Sequence, residues 1–251
     1  EELSAASRQF NNLTKEINRL RIRAYEQELE RQKIQMDYMQ MQIKPHFFLN
    51  SLNLIHSMAS HGNCQDVARL SEITASYLRY IFQSDVSCVE LGQELNHLRD
   101  YLSIMEIRYP DHFQYEIFAE EEALLQAVPP LLLQTFVENS VKHGITADTK
   151  MELSISALIE CTETSGQKEM LTIFITDNGP GYPQTCLDVW AQGKDLARSG
   201  GSHIGIANAS KRLKLFYHEN AVMKLYNSPL GGAVTELHLP CKEEQNEFTA
   251  G

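Results

Sequence analysis

Three clusters of polar and glycine residues, and one histidine preceded by a proline, carry the chemistry that can be read from this chain. The first cluster is Glu138-Asn139-Ser140-Val141-Lys142-His143-Gly144, at the end of an apolar stretch. Asn139 stands three and four residues from Lys142 and His143, so on a helix they share one face. An amide oxygen, a cation and an imidazole together suit a phosphate with magnesium, which prefers few protein oxygens plus phosphate oxygens and waters. The same residues also fit the polar end of a buried helix. The second cluster, Asp177-Asn178-Gly179-Pro180-Gly181, follows an apolar run with strand character. An acid at a strand end can accept a hydrogen bond from an exocyclic amine such as that of adenine, and the glycines allow close backbone approach. It is equally good turn chemistry. The third, Gly200-Gly201-Ser202-His203-Ile204-Gly205-Ile206, precedes a helical pattern. Free backbone N–H groups at a helix start suit phosphates, although a glycine-rich stretch also serves as a flexible connection. The histidine is His46, between Pro45 and Phe47. Alone, a histidine on an amphipathic helix is more often structural than reactive.

The elements that must position these groups are legible from periodicity. The first forty residues contain neither Gly nor Pro. Leu3, Phe10, Ile17, Ala24, Arg31 and Tyr38 fall on one heptad position, and Ala6, Leu13, Leu20, Gln27, Ile34 and Met41 on the other. A strict seven-residue repeat predicts a left-handed coiled coil. Pro45 interrupts it. Residues 47–58 and 65–82 predict two helices joined by a turn at His61-Gly62-Asn63. Paired in a dimer, two such hairpins make a four-helix bundle. Residues 84–88 form a polar break. Beyond it the pattern predicts a helix over 91–108, a strand over 113–119, and a helix opened by Pro129-Pro130 and reaching His143. Paired strands follow over 151–161 and 170–177, then a glycine-punctuated region over 179–205 and a helix over 206–217. A hairpin of 222–227 with 233–239 closes around Gly231-Gly232. The domain boundaries expected are 1–42 for the coil, 43–88 for the hairpin, 89–242 for an α+β domain and 243–251 for a polar tail.

The bulk properties exclude several functions. A formal net charge of -11 over 251 residues provides no basic face for nucleic acid and no polybasic membrane anchor. The five cysteines form no CxxC pair and the nine histidines no HExxH spacing, so neither a disulfide framework nor a zinc site is expected. No apolar run reaches the roughly 20 residues of a membrane helix. The sequence begins at Glu1 without Met, so a fragment is expected, with any membrane segment upstream.

Taken in order, the three clusters resemble the asparagine box and two glycine boxes of the GHKL ATPase superfamily, which includes histidine kinases, gyrase and heat-shock chaperone ATPases. Gly231-Gly232-Ala233 with Thr235 resembles the last small box. The resemblance covers residues 129–240. It implies an ATP-binding α/β sandwich with a mobile lid at 184–202, with Asn139 holding Mg2+ and Asp177 holding adenine. Gly181 and Gly205 would admit the nucleotide, with Lys142, His143, Gly179, Gly201, Ser202, Ile206 and Thr235 completing the ATP site. Gln42-Ile43-Lys44-Pro45-His46-Phe47-Phe48-Leu49-Asn50 resembles the Q-I-N-P-H-F-L-F-N motif of the autolysin-regulator and YesM-like sensor histidine kinases. Leu91-Gly92-Gln93-Glu94-Leu95, Tyr101 to Ile104, Arg108-Tyr109, and Asn208, Arg212 and Leu213 are similar to the same family.

That resemblance implies a homodimeric, cytoplasmic kinase core of an inner- or plasma-membrane sensor, reaching the membrane only through a segment absent from this chain. It would phosphorylate His46 from ATP and pass the phosphoryl group to an aspartate of a response regulator receiver domain. No nucleic acid is a partner. The alternatives are a non-catalytic dimeric nucleotide-binding scaffold and a GHKL serine kinase acting on a protein. Two departures stand out. His203 occupies a position where the family commonly has glycine. Phe47 follows His46 where many histidine kinases carry an acid. Neutral imidazole, with an unperturbed pKa of ~6.5, already has a lone pair for attack, but its remaining proton needs an acceptor. Glu94 and Glu138 are candidates by residue type. Asn50, four residues after His46, shares its helix face and is a candidate for orienting water in a phosphatase reaction. A bend at Pro45 is expected to relay a signal from the coil.

Overall fold

The computed structural model describes residues 17, 19–23, 45–82, 88–146, 149–162, 168–193, 204–217 and 220–241. The chain divides into two compact units, Glu1–Ile43 and Lys44–Gly251. In the first, the described residues 17 and 19–23 are helical. The remainder of the expected heptad seam, and the chain leading into Pro45, lie outside the described residues.

The second unit opens with α1 (Pro45–Ser60) and α2 (Cys64–Phe82). Proline is at home in a first helical turn, where its missing N–H is not needed. Gly62 makes the turn between the helices at φ 76, in the left-handed region. α2 buries Leu70, Thr74, Tyr77 and Ile81, a stripe at three- and four-residue spacing. The stripe packs on α3 (Leu91–Arg108). α3 is buried on two sides, with Leu91, Leu95, Leu98, Leu102 and Met105 alongside Glu94, His97 and Tyr101. One side faces α2, and another faces the sheet.

The short strands β1 (Val89–Glu90) and β3 (Ala127–Val128) pair antiparallel on either side of β2 (Phe113–Ala119) and α4 (Glu121–Leu124) in sequence. The main sheet adds β4 (Met151–Thr162), β5 (Lys168–Asp177), β6 (Val222–Asn227) and β7 (Ala233–Pro240), in the order β2-β4-β5-β7-β6. β2 and β4 are parallel, and the other pairs are antiparallel. The parallel pair requires a crossover, which contains α5 (Gln134–Gly144). α6 (Gln184–Ala191) and α7 (Ile204–Tyr217) lie between β5 and β6 in sequence. Leu153, Ile155 and Ala157, then Leu171, Ile173 and Ile175, then Leu237 and Leu239 are buried at a period of two. Each buried Leu or Ile contributes about 1.5–3 kcal/mol by leaving water. α5 covers β4 and β5 and packs against α7. On the other face of the sheet, Lys224 and Tyr226 bond the Glu236 carboxylate at 2.7 and 3.1 Å.

The expected mixed α+β architecture is therefore present, with three local corrections. Pro129-Pro130 do not open a helix. Residues 130–133 form a turn and α5 starts at Gln134, because Leu131 sits at φ 59, outside the helical region. The stretch expected as a lid holds a helix, α6, over its first eight residues; residues 194–203 lie outside the described residues. β1, β3 and α4 have no counterpart in the sequence reading.

α2 meets the rest of the unit through a buried polar cluster. The His97 ring is 3% exposed and stacks between Tyr77 and Tyr80 at 4.6 and 4.2 Å. Its Nε2–H donates to Gln134 Oε1 at 2.5 Å, and the Gln134 amide donates to the Tyr77 hydroxyl. Burial pushes the His97 pKa down to about 4, although the Gln134 bond opposes the shift. Between pH 4 and the ordinary ~6.5, the unfolded chain binds a proton that the folded chain refuses. Stability should therefore fall as pH falls through that window, by up to about 1.4 kcal/mol per pH unit. The melting temperature of the chain is expected to drop more steeply from pH 7 to pH 5 than that of His97→Gln. Equal slopes in the two proteins would show that His97 is not the titrating group.

Candidate functional site

α5 offers Asn139, Ser140, His143 and Gly144 to a cavity of about 450 Å3. The four residues form two pairs at i, i+4, so one helical face supplies one wall. Asp177 at the end of β5, the segment Pro180 to Pro183, Ile206 in the first turn of α7, and Ala233 at the start of β7 close the others. The volume lies in the range of small-molecule sites, and the wall chemistry is apolar with a few convergent polar groups.

Asp177 holds these walls together. Its carboxylate is in a residue only 6% exposed. Oδ1 accepts the Gly179 N–H at 2.9 Å and the Ala233 N–H at 3.1 Å, and Oδ2 accepts the Ser140 hydroxyl at 2.5 Å. Each carboxylate oxygen has about two acceptor positions, so Oδ2 keeps one for a ligand. The β6–β7 turn presses against the same residue. Gly232 has φ 90, and a Cβ there would lie 1.7 Å from the Asp177 carbonyl oxygen.

Asn227 and Thr235 fix the opposite wall. Asn227 Oδ1 accepts the Tyr182 N–H at 2.7 Å and its Nδ2 donates to the Tyr182 carbonyl at 3.0 Å. Gly181, at φ 79, leaves the space that this amide fills: a Cβ would lie 2.7 Å from Asn227 Oδ1. The Tyr182 hydroxyl bonds Thr235 Oγ1 at 2.5 Å. Burial, with the nearby Asp177 charge adding and the Thr235 bond opposing, pushes the Tyr182 pKa up to about 12.

The structure thus brings Asn139, His143, Asp177, Gly181 and Ile206 to one cavity. Gly179 lies just behind it, tight against Gly144 with a built Cβ 3.0 Å from that Cα. Gly205 faces α5, where a Cβ would meet Thr135 Cγ2 at 3.0 Å. Three expectations shift. Lys142 is exposed and does not line the cavity, because the helix turns it away from the Asn139–His143 row. Thr235 is 1% exposed and acts through Tyr182 rather than at the surface of the cavity. Glu94 is 0% exposed and already accepts from Tyr80, Leu131 and Leu133, which removes it as a proton acceptor. Glu138 lies on α5 beside Gln134, whose amide reaches it at 2.9 Å. Gly201, Ser202 and His203 lie outside the described residues. His46 stands in the first turn of α1, its backbone alone described, and Asn50 is half-buried one turn on. Tyr182, Asn227 and Ser140 shape the cavity without having been singled out from sequence. Their signal was position: Ser140 is inside the first cluster, and Tyr182 directly follows the second.

Residues 129–243 match the family model described as "Histidine kinase-, DNA gyrase B-, and HSP90-like ATPase". Residues 34–113 match the model described as "Histidine kinase", and the chain resembles sensor proteins of the YesM and LytS type. It is 24% identical over 97% of its length to Sensor histidine kinase YesM of Bacillus subtilis, covering 40% of that protein. It is 30% identical over 79% of its length to Sensor protein LytS of Oceanobacillus iheyensis, covering 33%. With Sensor histidine kinase/phosphatase LytS of Staphylococcus aureus the identity is 27% over 83% of this chain and 35% of the relative. The chain therefore spans 33–40% of the length of these curated relatives. Among solved structures, the histidine kinase domain of the Erythrobacter litoralis EL346 blue-light activated histidine kinase aligns with a TM-score of 0.44 and 16% identity, over 86% of this chain and 96% of that one.

The two glycines of the β6–β7 turn separate backbone strain from close approach. Gly231 is at φ 97 with nothing within 4 Å of a built Cβ, whereas Gly232 meets Asp177. Gly231→Ala is expected to cost about 1 kcal/mol of stability, and Gly232→Ala at least about 2 kcal/mol more. Thermal or urea melts of the two variants measure the difference, and equal costs would remove the Asp177 contact as the reason for Gly232.

Proposed function

We propose that this chain is the kinase core of a two-component sensor, which transfers the γ-phosphoryl group of ATP to His46 and from there to an aspartate of a response regulator. The observation that carries the reading is the convergence of Asn139, His143, Asp177 and Ile206 on one cavity, in a chain whose hairpin opens on Pro45-His46. The walls fit a nucleotide with Mg2+. The free acceptor position of Asp177 suits the adenine amine. Magnesium prefers few protein oxygens together with phosphate oxygens and waters, and Asn139, whose side chain is an amide, lines the cavity. Bound there, magnesium neutralises charge on the transferring phosphoryl group.

The imidazole of His46 supplies the lone pair. A nitrogen–phosphorus bond forms as the bond from the γ-phosphorus to the bridging oxygen breaks, and ADP leaves with that electron pair. The remaining ring proton passes to a carboxylate. Glu138 suits this role better than Glu94. Its charge, after burial, helps raise the hydroxyls of Tyr77 and Tyr101, and those two rings pack Phe47, the neighbour of His46, at 4.6 and 5.4 Å. Phe47 thus anchors the helix where other kinases place an acid. The Gln134–Glu138 row and the Asn139–His143 row lie about 140° apart on α5, at ~100° per residue. Transfer therefore uses a hairpin displaced from this position, or the His46 of a second copy.

A homodimer suits α1, which has no Asp, Glu, Lys or Arg and leaves Phe48, Leu49 and Leu52 39–56% exposed. A second hairpin would cover that face. Asn50 is the residue for orienting water in dephosphorylation of the partner, and the Staphylococcus aureus relative is named a kinase/phosphatase. We place the chain on the cytoplasmic side of a membrane sensor. No helix among the described residues is long and apolar enough to cross a membrane.

Incubation with labelled ATP and Mg2+ tests the reading. Acid-labile label on the chain, absent from His46→Ala, is expected. Acid-stable label retained by His46→Ala would instead support serine phosphorylation, and nucleotide binding without label would support a scaffold. Asn50→Ala is expected to slow dephosphorylation of a phosphorylated receiver domain about tenfold or more while sparing autophosphorylation.

A further inference from the structure

α5 carries Asn139 but has no cap of its own. Leu133 stands at its N-cap and supplies no side-chain hydrogen bond, and Leu131 just before it is left-handed. One carboxylate from another helix takes the exposed amides. Glu94 of α3 accepts the Leu131 N–H at Oε2 at 2.8 Å and the Leu133 N–H at Oε1 at 3.1 Å. Two further groups approach. Tyr80 of α2 donates its hydroxyl to Glu94 Oε2 at 2.7 Å. Arg212 of α7 donates Nη1 to the Leu131 carbonyl at 3.3 Å and feels the Glu94 charge.

Arg212 is only 4% exposed, yet its Nε and Nη2 are buried without a hydrogen-bond partner among the described residues. Idle buried donors on a cation are costly. Their neighbour is a buried carboxylate whose Oε2 already carries two donors, Tyr80 and Leu131. Removal of Tyr80 would vacate one acceptor position on a carboxylate whose charge Arg212 already feels. The hydroxyl remains a donor while docked, since burial first and the Glu94 charge second hold its pKa well above the ordinary value.

We propose that Glu94 is a positioning residue for the nucleotide site, and that Tyr80 and Arg212 are alternative partners for it. With the hairpin docked, Tyr80 holds the carboxylate. With the hairpin released, Arg212 takes Tyr80's place and draws α7 toward the start of α5. α7 carries Gly205 and Ile206 in its first turn, and α5 carries Asn139, so the exchange reports the position of the hairpin to both sides of the cavity. The amide cap on α5 survives either way, because Glu94 is never left without a third donor.

The link to nucleotide rests on the proposed function, but the exchange of partners does not, and hydrogen exchange on the full chain reads it without nucleotide. Tyr80→Phe keeps the ring stacked on His97 and removes only the hydroxyl. It is expected to speed exchange of α2 amides about tenfold or more, while Leu131 and Leu133 stay protected within about threefold. Tyr80→Phe with Arg212→Gln is expected to expose Leu131 and Leu133 by about tenfold or more, and Arg212→Lys in place of Gln to restore part of the protection. If Tyr80→Phe alone exposes those two amides as fully as the double variant, or the double variant leaves them protected, the alternative pairing is wrong. Titration with a non-hydrolysable ATP analogue then tests the link. Tyr80→Phe should bind several-fold tighter than the parent, and the gain should vanish with Arg212→Gln. An affinity unchanged by Tyr80→Phe would overturn the positioning role, and an absence of binding to the parent chain would overturn the nucleotide reading instead.

Discussion

Asp177 ends the central strand of the sheet with a nearly buried carboxylate, and three separate parts of the chain are tied to it. Backbone amides of Gly179 and Ala233 and the hydroxyl of Ser140 converge on its two oxygens, and Gly232 packs on its carbonyl. An ionised carboxylate can be kept from water only when such donors surround it. The need to satisfy Asp177 therefore brings α5, the post-β5 loop and the β6–β7 turn together, and the cavity is what remains between them. The acceptor position left on Oδ2 is the group that a base would meet under the proposed function.

A second buried carboxylate follows the same rule at the other end of α5. Glu94 gathers Tyr80, Leu131 and Leu133. Asp177 thus fixes the middle of the helix through Ser140, and Glu94 fixes its start. Between them stands Asn139. One carboxylate faces the cavity and the other faces the hairpin, so α5 is tied to both. The tyrosines and His97 of the hairpin contact make it a packed, desolvated joint rather than a loose hinge.

Local elements were readable where one period dominates. α3 and β2 have the bounds that their apolar spacing implies, and Gly62 marks a turn that only a left-handed residue makes without strain. α6 was hidden because Gln184–Ala191 is short and lies between Gly181 and Gly193, so punctuation outweighed pattern. The start of α5 was misplaced because the competing influence on Leu131 is Glu94, thirty-seven positions away. The docking of the hairpin was illegible for the same reason: Tyr77, His97 and Gln134 have no local relation. At the site, residue type identified Asn139, His143 and Asp177, whereas the exposed Lys142 and the buried Thr235 show that membership of a motif does not say which side of a helix or strand a residue takes. Asn227 became visible only through its clamp on Tyr182.

The role proposed for the cavity around Asp177 is to receive the base of ATP through the exocyclic amine. Calorimetric titration of the chain with ATP and with N6,N6-dimethyl-ATP, both with Mg2+, tests it directly. ATP should bind at least roughly tenfold more tightly, because the dimethyl analogue has no donor for the carboxylate. Equal affinity for the two nucleotides would contradict the claim.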